Sequence, residues 1–352
     1  KVKNIHFFTS DKKTYNDIKK NYVIYDGINR IGHLKYIGRS NKSFFSTVMH
    51  RIKYILFFIY IIYLLITNNA YIIHFTLLNH WPWKVLYYFN KKRIILSEKT
   101  WMSRREFNFS NIGGRRETTK FSPLKPVAGK IIIFNEGSSY LRDKRIKNTA
   151  IILQNGTANL KAWVKFIDNN AKKYIENEFK KKLSNTVYCI MLGTFTPLVY
   201  LKSKDSVREC LIDTFEALSK IKYNFTVLVK PHVISDPLIY EKIILNYPQL
   251  DIRITYLHPA ILAKVSNIII SNYYSTTLSI IKAFGVPTLE YTEYSKEALD
   301  FTQGTSVRPE FVDYFINRNK KKLSETLDKH SQKKEIKHKY ILLSESILEA
   351  FS

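Results

Sequence analysis

Three hydroxyl side chains stand together in the segment NIIISNYYSTTLSIIKAFGVPTLEY (267–291). Ser275, Thr276 and Thr277 follow an apolar run that ends at Ser271 and precede a helical pattern. Hydroxyl groups and the free backbone N–H groups at a helix start bind phosphate, and the positive end of the helix dipole adds to the attraction. All four residues are therefore candidate phosphate ligands. The alternative is that Ser275 serves only as the N-cap of the helix.

A second candidate lies in the segment FTVLVKPHVISDPLIY (225–240), where Lys230 and His232 flank Pro231. Proline does not continue a central strand, so we expect the chain to leave the sheet here and to present His232 to a cleft. Both basic side chains suit a phosphate, and His232 is also a candidate catalytic residue that stabilises the charge of a leaving nucleotide. Glu290, in the later strand-like run VPTLEY, is a further candidate nucleotide ligand. A single histidine is more often an ordinary surface residue.

The first half of the chain offers a candidate base. In KIIIFNEGSSYLRD (130–143), Glu136 follows an apolar run, and a carboxylate that faces a cleft can take the proton of an acceptor hydroxyl. A second run, AIILQNGTANLKAW (150–163), also ends in small polar residues. The alternative for both segments is a simple tight turn. The turn residues that we assign to the acceptor side of the site are Asn135, Gly137, Ser138, Asn155, Gly156 and Thr157.

The elements that position these residues are short apolar runs that alternate with helical patterns, as in parallel sheets with crossover helices. The alternation begins again after a lysine-rich amphipathic segment at 162–183. We predict an α/β, GT-B-like fold with two Rossmann-type, doubly wound parallel-sheet domains that face an interlobe cleft. Residues 1–184 form the acceptor side and 185–325 the nucleotide side; 326–352 form a basic linker and a C-terminal helix that packs back. Ligands of such sheets bind beyond the carboxyl ends of the strands.

The charge of the chain indicates an anionic partner. Lys and Arg number 56 against 29 Asp and Glu, a net charge of +27 that attracts phospholipid surfaces, nucleotides or nucleic acid. Zinc-ligand spacing and aromatic RNA-binding signatures are missing from the sequence, so nucleic acid is not an expected partner. There is no DxD motif after a strand, so we expect neither a metal ion nor a cofactor. Two cysteines, Cys189 and Cys210, fit a reducing compartment.

An uninterrupted apolar run occupies residues 54–66. It is shorter than the roughly 20 residues that cross a bilayer. The sequence leaves two alternatives open, a helix covered on all sides by the core and a helix with one face against lipid. The aromatic residues that would anchor the second arrangement are Trp81, Trp83, Tyr87 and Tyr88. We expect a cytoplasmic protein that is peripheral at the inner face of the cytoplasmic membrane and binds its anionic surface.

Taken together, the acid-Gly turn, the Lys-Pro-His strand end and the Ser-Thr helix start resemble bacterial GT-B transferases that use CMP-activated acidic sugars. These are the sialyltransferases of lipooligosaccharide and capsule and the related Kdo transferases. The resemblance covers about residues 130–291 as short motifs. In that family a two-acid-Gly motif supplies the acceptor base, and His-Pro and Ser-Ser/Thr motifs hold the CMP phosphate. Here Asn135 replaces the first acid, and His232 follows a proline instead of preceding one, whereas Ser275 and Thr276 fit well.

The resemblance implies a metal-independent glycosyltransferase that moves a sialic acid or Kdo-type sugar from a CMP-activated donor to a glycan or lipid-linked glycan of the bacterial surface. A CDP-glycerol or polyol-phosphate transferase is an alternative, because QNGTANLK (154–161) resembles the small-residue turn followed by lysine in that group. A GT-B enzyme with a UDP- or GDP-sugar donor is another. A nonenzymatic polysaccharide-binding assembly protein on the same fold is the fourth.

Overall fold

The computed structural model describes residues 5–9, 12–38, 44–67, 70–74, 85–97, 129–133, 150–153, 161–193, 195, 200–232 and 235–331. Strands and helices alternate along these segments, and the described strands of each sheet pair in parallel. The predicted α/β class is confirmed.

The described strands of the first half form two separate sheets. β1 (Ile5–Thr9) pairs with β2 (Gly32–Tyr36), and the other four strands follow the order β3-β4-β5-β6. Sequence patterning predicted one sheet here and did not identify β2. The backbones of β1 and β2 approach closely where β2 begins. A Cβ on Gly32 would lie 1.9 Å from the carbonyl oxygen of Ile5, which explains why β2 begins with glycine. The remaining strands are β3 (Ile72–His74), β4 (Ile94–Ser97), β5 (Lys130–Ile133) and β6 (Ala150–Leu153).

One helix of the first half is longer than its apolar run. The apolar run at 54–66 belongs to a helix of 23 residues that begins ten residues earlier than the run itself, at Phe44. This helix packs against the cluster around Leu65, Leu86, Ile94 and Leu96. The helices are α1 (Lys12–Lys20), α2 (Tyr22–Ile31), α3 (Phe44–Ile66) and α4 (Leu86–Asn90), and a 3-10 turn follows at Lys91–Arg93.

The second half forms a six-stranded sheet with the order β12-β11-β10-β7-β8-β9. Its strands are β7 (Thr186–Met191), β8 (Phe225–Lys230), β9 (Asp251–Ile254), β10 (Ile268–Ser271), β11 (Thr288–Thr292) and β12 (Tyr314–Asn317). The helices of this half are α5 (Lys161–Glu178), α6 (Ser206–Ser219), α7 (Pro237–Ile244), α8 (Pro259–Ala263), α9 (Thr277–Ala283), α10 (Lys296–Thr302) and α11 (Lys320–Lys329). We call this sheet and its helices the C-terminal lobe.

The strand order of the C-terminal lobe is that of a doubly wound nucleotide-binding sheet. Counted from β7 as the first strand, the order reads 6-5-4-1-2-3. The chain therefore runs outward in one direction from β7 to β9 and in the other from β10 to β12. The switch point, where such sheets bind their ligands, lies between β7 and β10. The predicted doubly wound parallel sheet is confirmed in this lobe.

Helices cover both faces of the sheet, which is why its strands read as continuous apolar runs. Along β7, Val187 and Cys189 pack on the side of α8 and α9, whereas Tyr188 and Ile190 pack on the side of α6 and α7. Cys210 lies in the second of these clusters. The two cysteines are thus buried and free on opposite faces of the sheet, as expected for core residues.

Both predicted domain boundaries separate parts of the chain that pack together. Helix α5, assigned to residues 1–184, contributes Val164, Ile167 and Tyr174 to the core of the C-terminal lobe. Its apolar face is covered there by the sheet and by α8. Helix α11 crosses the boundary at 325–326, because Leu323 and Leu327 are fully buried in the same lobe. The C-terminal lobe therefore extends in both directions beyond the predicted range, and residues 332–352 lie outside the described residues.

Candidate functional site

The switch point brings the ends of three strands together. The chain passes from β7 through Leu192 to Gly193, and from β10 through Asn272 to Tyr273. A Cβ on Gly193 would lie only 3.0 Å from Cβ of Tyr273, so the absence of a side chain permits this close approach. The carbonyl oxygen of Gly193 accepts a hydrogen bond of 3.0 Å from the hydroxyl of Ser235, which follows β8. The turns after β7, β8 and β10 therefore border one crevice.

The hydroxyl turn after β10 lies at this crevice. Helix α9 begins at Thr277, and the Ser275 hydroxyl accepts a hydrogen bond of 3.2 Å from the Thr277 N–H. Ser275 therefore supplies a capping hydrogen bond to the first turn, although the N-cap position itself is Thr276, whose side chain makes no such bond. Since a capping hydroxyl still has its own O–H to donate, Ser275 can cap the helix and bind an anion together. Thr276 and Thr277 are half-buried at the same helix start.

A glycine ends helix α9. Gly285 adopts φ 72°, in the left-handed region that favours glycine, and its N–H donates to the carbonyl of Lys282 at 2.9 Å. Helix α9 therefore stops after two turns and returns the chain to β11.

Ser271 is placed differently from its predicted role. Its side chain is buried, and its hydroxyl donates to the carbonyl oxygen of Tyr273 in the same turn. The residue therefore shapes the turn that presents Ser275, and its hydroxyl does not face the crevice.

Glu290, predicted as a nucleotide ligand, is fully buried inside the lobe. Its two carboxyl oxygens accept hydrogen bonds of 2.6 Å from the hydroxyls of Tyr294 and Ser306. Burial raises the pKa of Glu290 to about 7, although both hydroxyls and the charge of Arg308 act in the opposite direction. The side chain joins β11 to the segment near Ser306, and this internal position corrects its assignment to the ligand.

Lys230 and His232 lie at the carboxyl end of β8, as predicted. Lys230 is half-buried, and its Nζ donates to the carbonyl of Tyr256 at 3.4 Å. Burial lowers the pKa of Lys230, while the Cys189 thiol and Glu178 raise it. His232 is exposed, and partial desolvation followed by the charge of Lys230 lowers its pKa. A neutral imidazole beside an ammonium group can donate one N–H to an anion.

The structure adds His258, which the sequence reasoning did not select. It follows β9 and caps α8, since its Nδ1 accepts a hydrogen bond of 3.2 Å from the Ala260 N–H. Burial, and then the charge of Lys230, lower the pKa of His258 to about 3. The ring is therefore neutral and carries its proton on Nε2. A signal was present, because His258 precedes Pro259 and so has the His-Pro order that His232 lacks.

A cavity of about 510 Å³ opens between α6 and α7, beyond the ends of β7 and β8. Its charged lining consists of two carboxylates, Asp205 and Asp236, and three cations, Lys204, Arg208 and Lys242. None of these cations forms an ion pair with a residue that the structure describes. The carboxyl edge of β7 and β8 therefore presents positive charge on this side of the sheet as well.

Acidic residues near the ends of β11 and β12 are already paired. Glu293 accepts hydrogen bonds from Lys202 at 2.9 Å and from Arg318 at 2.8 Å. Arg318 also contacts Asp213, which is 3% exposed, and Glu209. These side chains form an ion network in which the carboxylates of Asp213 and Glu293 are buried and the Arg318 side chain is 30% exposed. With Glu290 internal and Glu293 paired, neither is placed to act as a base on an acceptor.

The remaining predicted residues lie outside the described part of the chain. Glu136 is one of them, and the acceptor-side turn residues are the others: Asn135, Gly137, Ser138, Asn155, Gly156 and Thr157. Their arrangement relative to Ser275 and His232 stays a prediction. Within the described segments, no three His, Cys, Asp or Glu side chains are grouped closely enough to hold a metal ion.

No protein-family model and no curated protein sequence matches the chain. Solved structures with similarity to it include UGT89C1 of Arabidopsis thaliana complexed with UDP-L-rhamnose, at 9% identity and a TM-score of 0.49, with 94% of this chain and 82% of that chain covered. A glycosyltransferase from Rickettsia africae has 11% identity and a TM-score of 0.42, with 93% and 87% covered.

A putative UDP-N-acetylglucosamine 2-epimerase from Listeria monocytogenes has 12% identity and a TM-score of 0.45, with 96% of this chain and 92% of that chain covered. These TM-scores lie below 0.5, so function has to be inferred from the residues of the chain itself.

Proposed function

We propose that the protein is a metal-independent GT-B glycosyltransferase that takes an acidic sugar, of the sialic acid or Kdo type, from a CMP-activated donor. The observation that carries the proposal is the switch point between β7 and β10, with the hydroxyl turn at Ser275 on one side and Lys230 with His232 on the other. A nucleotide phosphate is the ligand that this combination of helix start, hydroxyls and cations fits.

The proposed chemistry divides between the two halves of the chain. When the acceptor hydroxyl attacks the anomeric carbon of the donor sugar, the bond from that carbon to the phosphate oxygen breaks and CMP leaves. Ser275, Thr276, His232 and Lys230 would stabilise the charge on its phosphate. Glu136 would take the proton of the acceptor hydroxyl. Because cationic and N–H groups stabilise the leaving group, the proposal assigns no metal ion to the reaction.

The acceptor is a glycan or lipid-linked glycan of the bacterial surface, and we place the enzyme at the inner face of the cytoplasmic membrane. Two features support this location. Nucleotide-activated donors are polar and anionic and do not cross a bilayer unaided. The net charge of +27 attracts the protein to an anionic lipid surface.

A thermal-shift comparison of CMP, CDP, UDP and GDP tests the nucleotide assignment, because a ligand of the native state raises the melting temperature. CMP should give the largest shift. A preference for CDP would favour a polyol-phosphate transferase, and a preference for UDP or GDP a different sugar donor. If none of the four nucleotides bound, the enzyme proposal would fail, and a nonenzymatic assembly protein would be the better explanation.

Variants then test the site. Ser275→Ala and Lys230→Met should each weaken CMP binding by about 1–3 kcal/mol in calorimetry, the usual value of a charge-assisted hydrogen bond. The matched control is Lys222→Met, since Lys222 is exposed and precedes β8 at the opposite edge of the sheet. Equal affinities of Lys230→Met and Lys222→Met would remove Lys230 from the site.

A further inference from the structure

Helix α3 carries apolar side chains on two sides. One side packs into the first half of the chain, where Tyr54, Phe57, Phe58, Ile61 and Ile62 contact the cluster around Leu65 and Ile94. The core therefore covers one side of α3 and does not cover the helix on all sides, which was the first of the two alternatives. The segment Val48–Ile66 has a mean hydropathy of 1.7, and only 6% of it is fully buried, because the core covers a single side of the helix.

The uncovered side forms one continuous apolar stripe. Nine large apolar side chains of α3 are between 39% and 61% exposed. They are Val48, Met49, Ile52, Ile55, Leu56, Ile59, Tyr60, Tyr63 and Ile66. Their spacing of three and four residues places them on one face of the helix, along roughly 27 Å of its axis. Single exposed apolar residues are ordinary in a monomer, but a contiguous stripe of this length marks an interaction surface.

Aromatic and basic residues accompany the stripe. Helix α4, which packs on α3, has Tyr88 77% exposed and Phe89 41% exposed. Exposed Lys91 and Lys92 follow directly, and exposed Arg51 and Lys53 lie on α3 itself. Apolar side chains with aromatic and cationic neighbours fit the boundary between lipid tails and anionic headgroups. Exposed apolar side chains do not favour contact with water. The flanking cations favour an anionic lipid surface over an apolar protein partner.

We propose that the exposed face of α3, together with Tyr88 and Phe89, docks on an anionic lipid bilayer with the helix lying in the plane of the interface. The inference deepens the membrane location of the proposed function and rests on it. An in-plane position follows from the packing, because the inner side of α3 contacts the sheet that contains β4. A spanning position would carry that open sheet into the hydrocarbon, where its edge strands would lack hydrogen-bond partners.

Vesicle sedimentation tests the surface. The full chain is mixed with vesicles of phosphatidylcholine alone or of phosphatidylcholine with phosphatidylglycerol. The wild type should bind the anionic vesicles, and less so as salt is raised. Ile55→Ser/Ile59→Ser should lower the partition coefficient at least about tenfold, because two side chains no longer enter the apolar layer. The matched control is Leu238→Ser/Leu245→Ser. Leu238 lies in α7 and Leu245 directly follows it, and their side chains are 65% and 76% exposed. This variant should bind the vesicles like the wild type.

A second readout locates the contact. A polarity-sensitive dye on Ile59→Cys should shift to shorter wavelength when anionic vesicles are added, whereas the same dye on Leu238→Cys should not; both native cysteines are buried. Equal vesicle binding by the two double variants would overturn the proposal. So would a dimer in analytical ultracentrifugation that Ile55→Ser/Ile59→Ser dissociates, since a second copy would then cover the face.

The nucleotide thermal shift separates this result from the proposed function. If Ile55→Ser/Ile59→Ser keeps the wild-type CMP shift and loses vesicle binding, the variant is folded and both ideas stand. If the wild type shows a CMP shift but binds no vesicles, the membrane inference fails and the proposed nucleotide site stands.

Discussion

Replacing Glu290 with glutamine should remove a pH dependence of stability from the protein. In the unfolded chain the carboxyl group has its ordinary pKa of 4.5, whereas burial raises the pKa to about 7 in the folded lobe. Between these pH values the native state holds one proton more than the unfolded state. The stability that Glu290 contributes is therefore fully present below pH 4.5 and is lost as the pH rises through about 7.

The magnitude follows from the same values. The free energy of unfolding should fall by about 1.4 kcal/mol for each pH unit in this interval, or by about 3 kcal/mol in all. Glutamine has nearly the same shape as a protonated glutamic acid and can keep contacts with the Tyr294 and Ser306 hydroxyls. Glu290→Gln should thus be close to the wild type in stability at pH 5 and more stable at pH 8.

Urea unfolding at pH 5, 6, 7 and 8 measures both proteins, and the wild-type minus variant difference isolates Glu290 because the other titrating groups cancel. Glu290→Asp is a useful control, since it keeps a titrating carboxyl but shortens its reach. A difference that does not change with pH would refute the reasoning. So would a loss of CMP affinity in Glu290→Gln without loss of stability, because that would return the residue to the nucleotide site.

Three further changes test other parts of the structure. Gly193→Ala places a Cβ 3.0 Å from that of Tyr273 and should weaken CMP binding about tenfold by moving the turn after β10; an unchanged affinity in calorimetry would contradict this. Arg318→Met leaves buried Glu293 with one cation fewer and should lower the free energy of unfolding by about 3 kcal/mol; a loss below about 1 kcal/mol in urea would contradict it. Glu136→Gln should slow transfer roughly 100-fold with CMP affinity unchanged, and normal turnover would return Glu136 to a turn residue.

The C-terminal lobe is the part of the fold that sequence patterning predicted best. Its strands are short runs of β-branched residues bounded by proline or polar turns, and Asp236 caps α7 with Pro237 in the first turn, a typical helix start. Patterning failed at two elements of this lobe. β12 was not identified. The second half of α11 was assigned to the linker, because lysines cover the exposed side of the helix while Leu323 and Leu327 are buried.

Site residues were predictable when their role depends on backbone geometry. Lys230 and His232 lie at a strand end because Pro231 ends the strand, and that rule can be applied without a structure. Side-chain direction could not be obtained in this way. Ser271 and Glu290 occupy paired positions of β10 and β11, yet both side chains turn inward. Ser271 donates to the carbonyl of Tyr273 in its own turn, and Glu290 accepts from Ser306 of a later segment. The contact of Glu290 depends on tertiary packing, which a local pattern does not contain.

The distribution of charge in the C-terminal lobe explains why a base should come from elsewhere. A carboxylate next to a bound nucleotide would repel its phosphate, and the repulsion would raise the pKa of the acid and weaken donor binding. In the described part of the lobe, Glu290 is internal and Glu293 is neutralised by Lys202 and Arg318. The crevice therefore keeps its hydroxyls and cations for the donor. An acid that acts on the acceptor does least harm to donor binding when it belongs to the other half of the chain, which is the position that the proposal gives to Glu136.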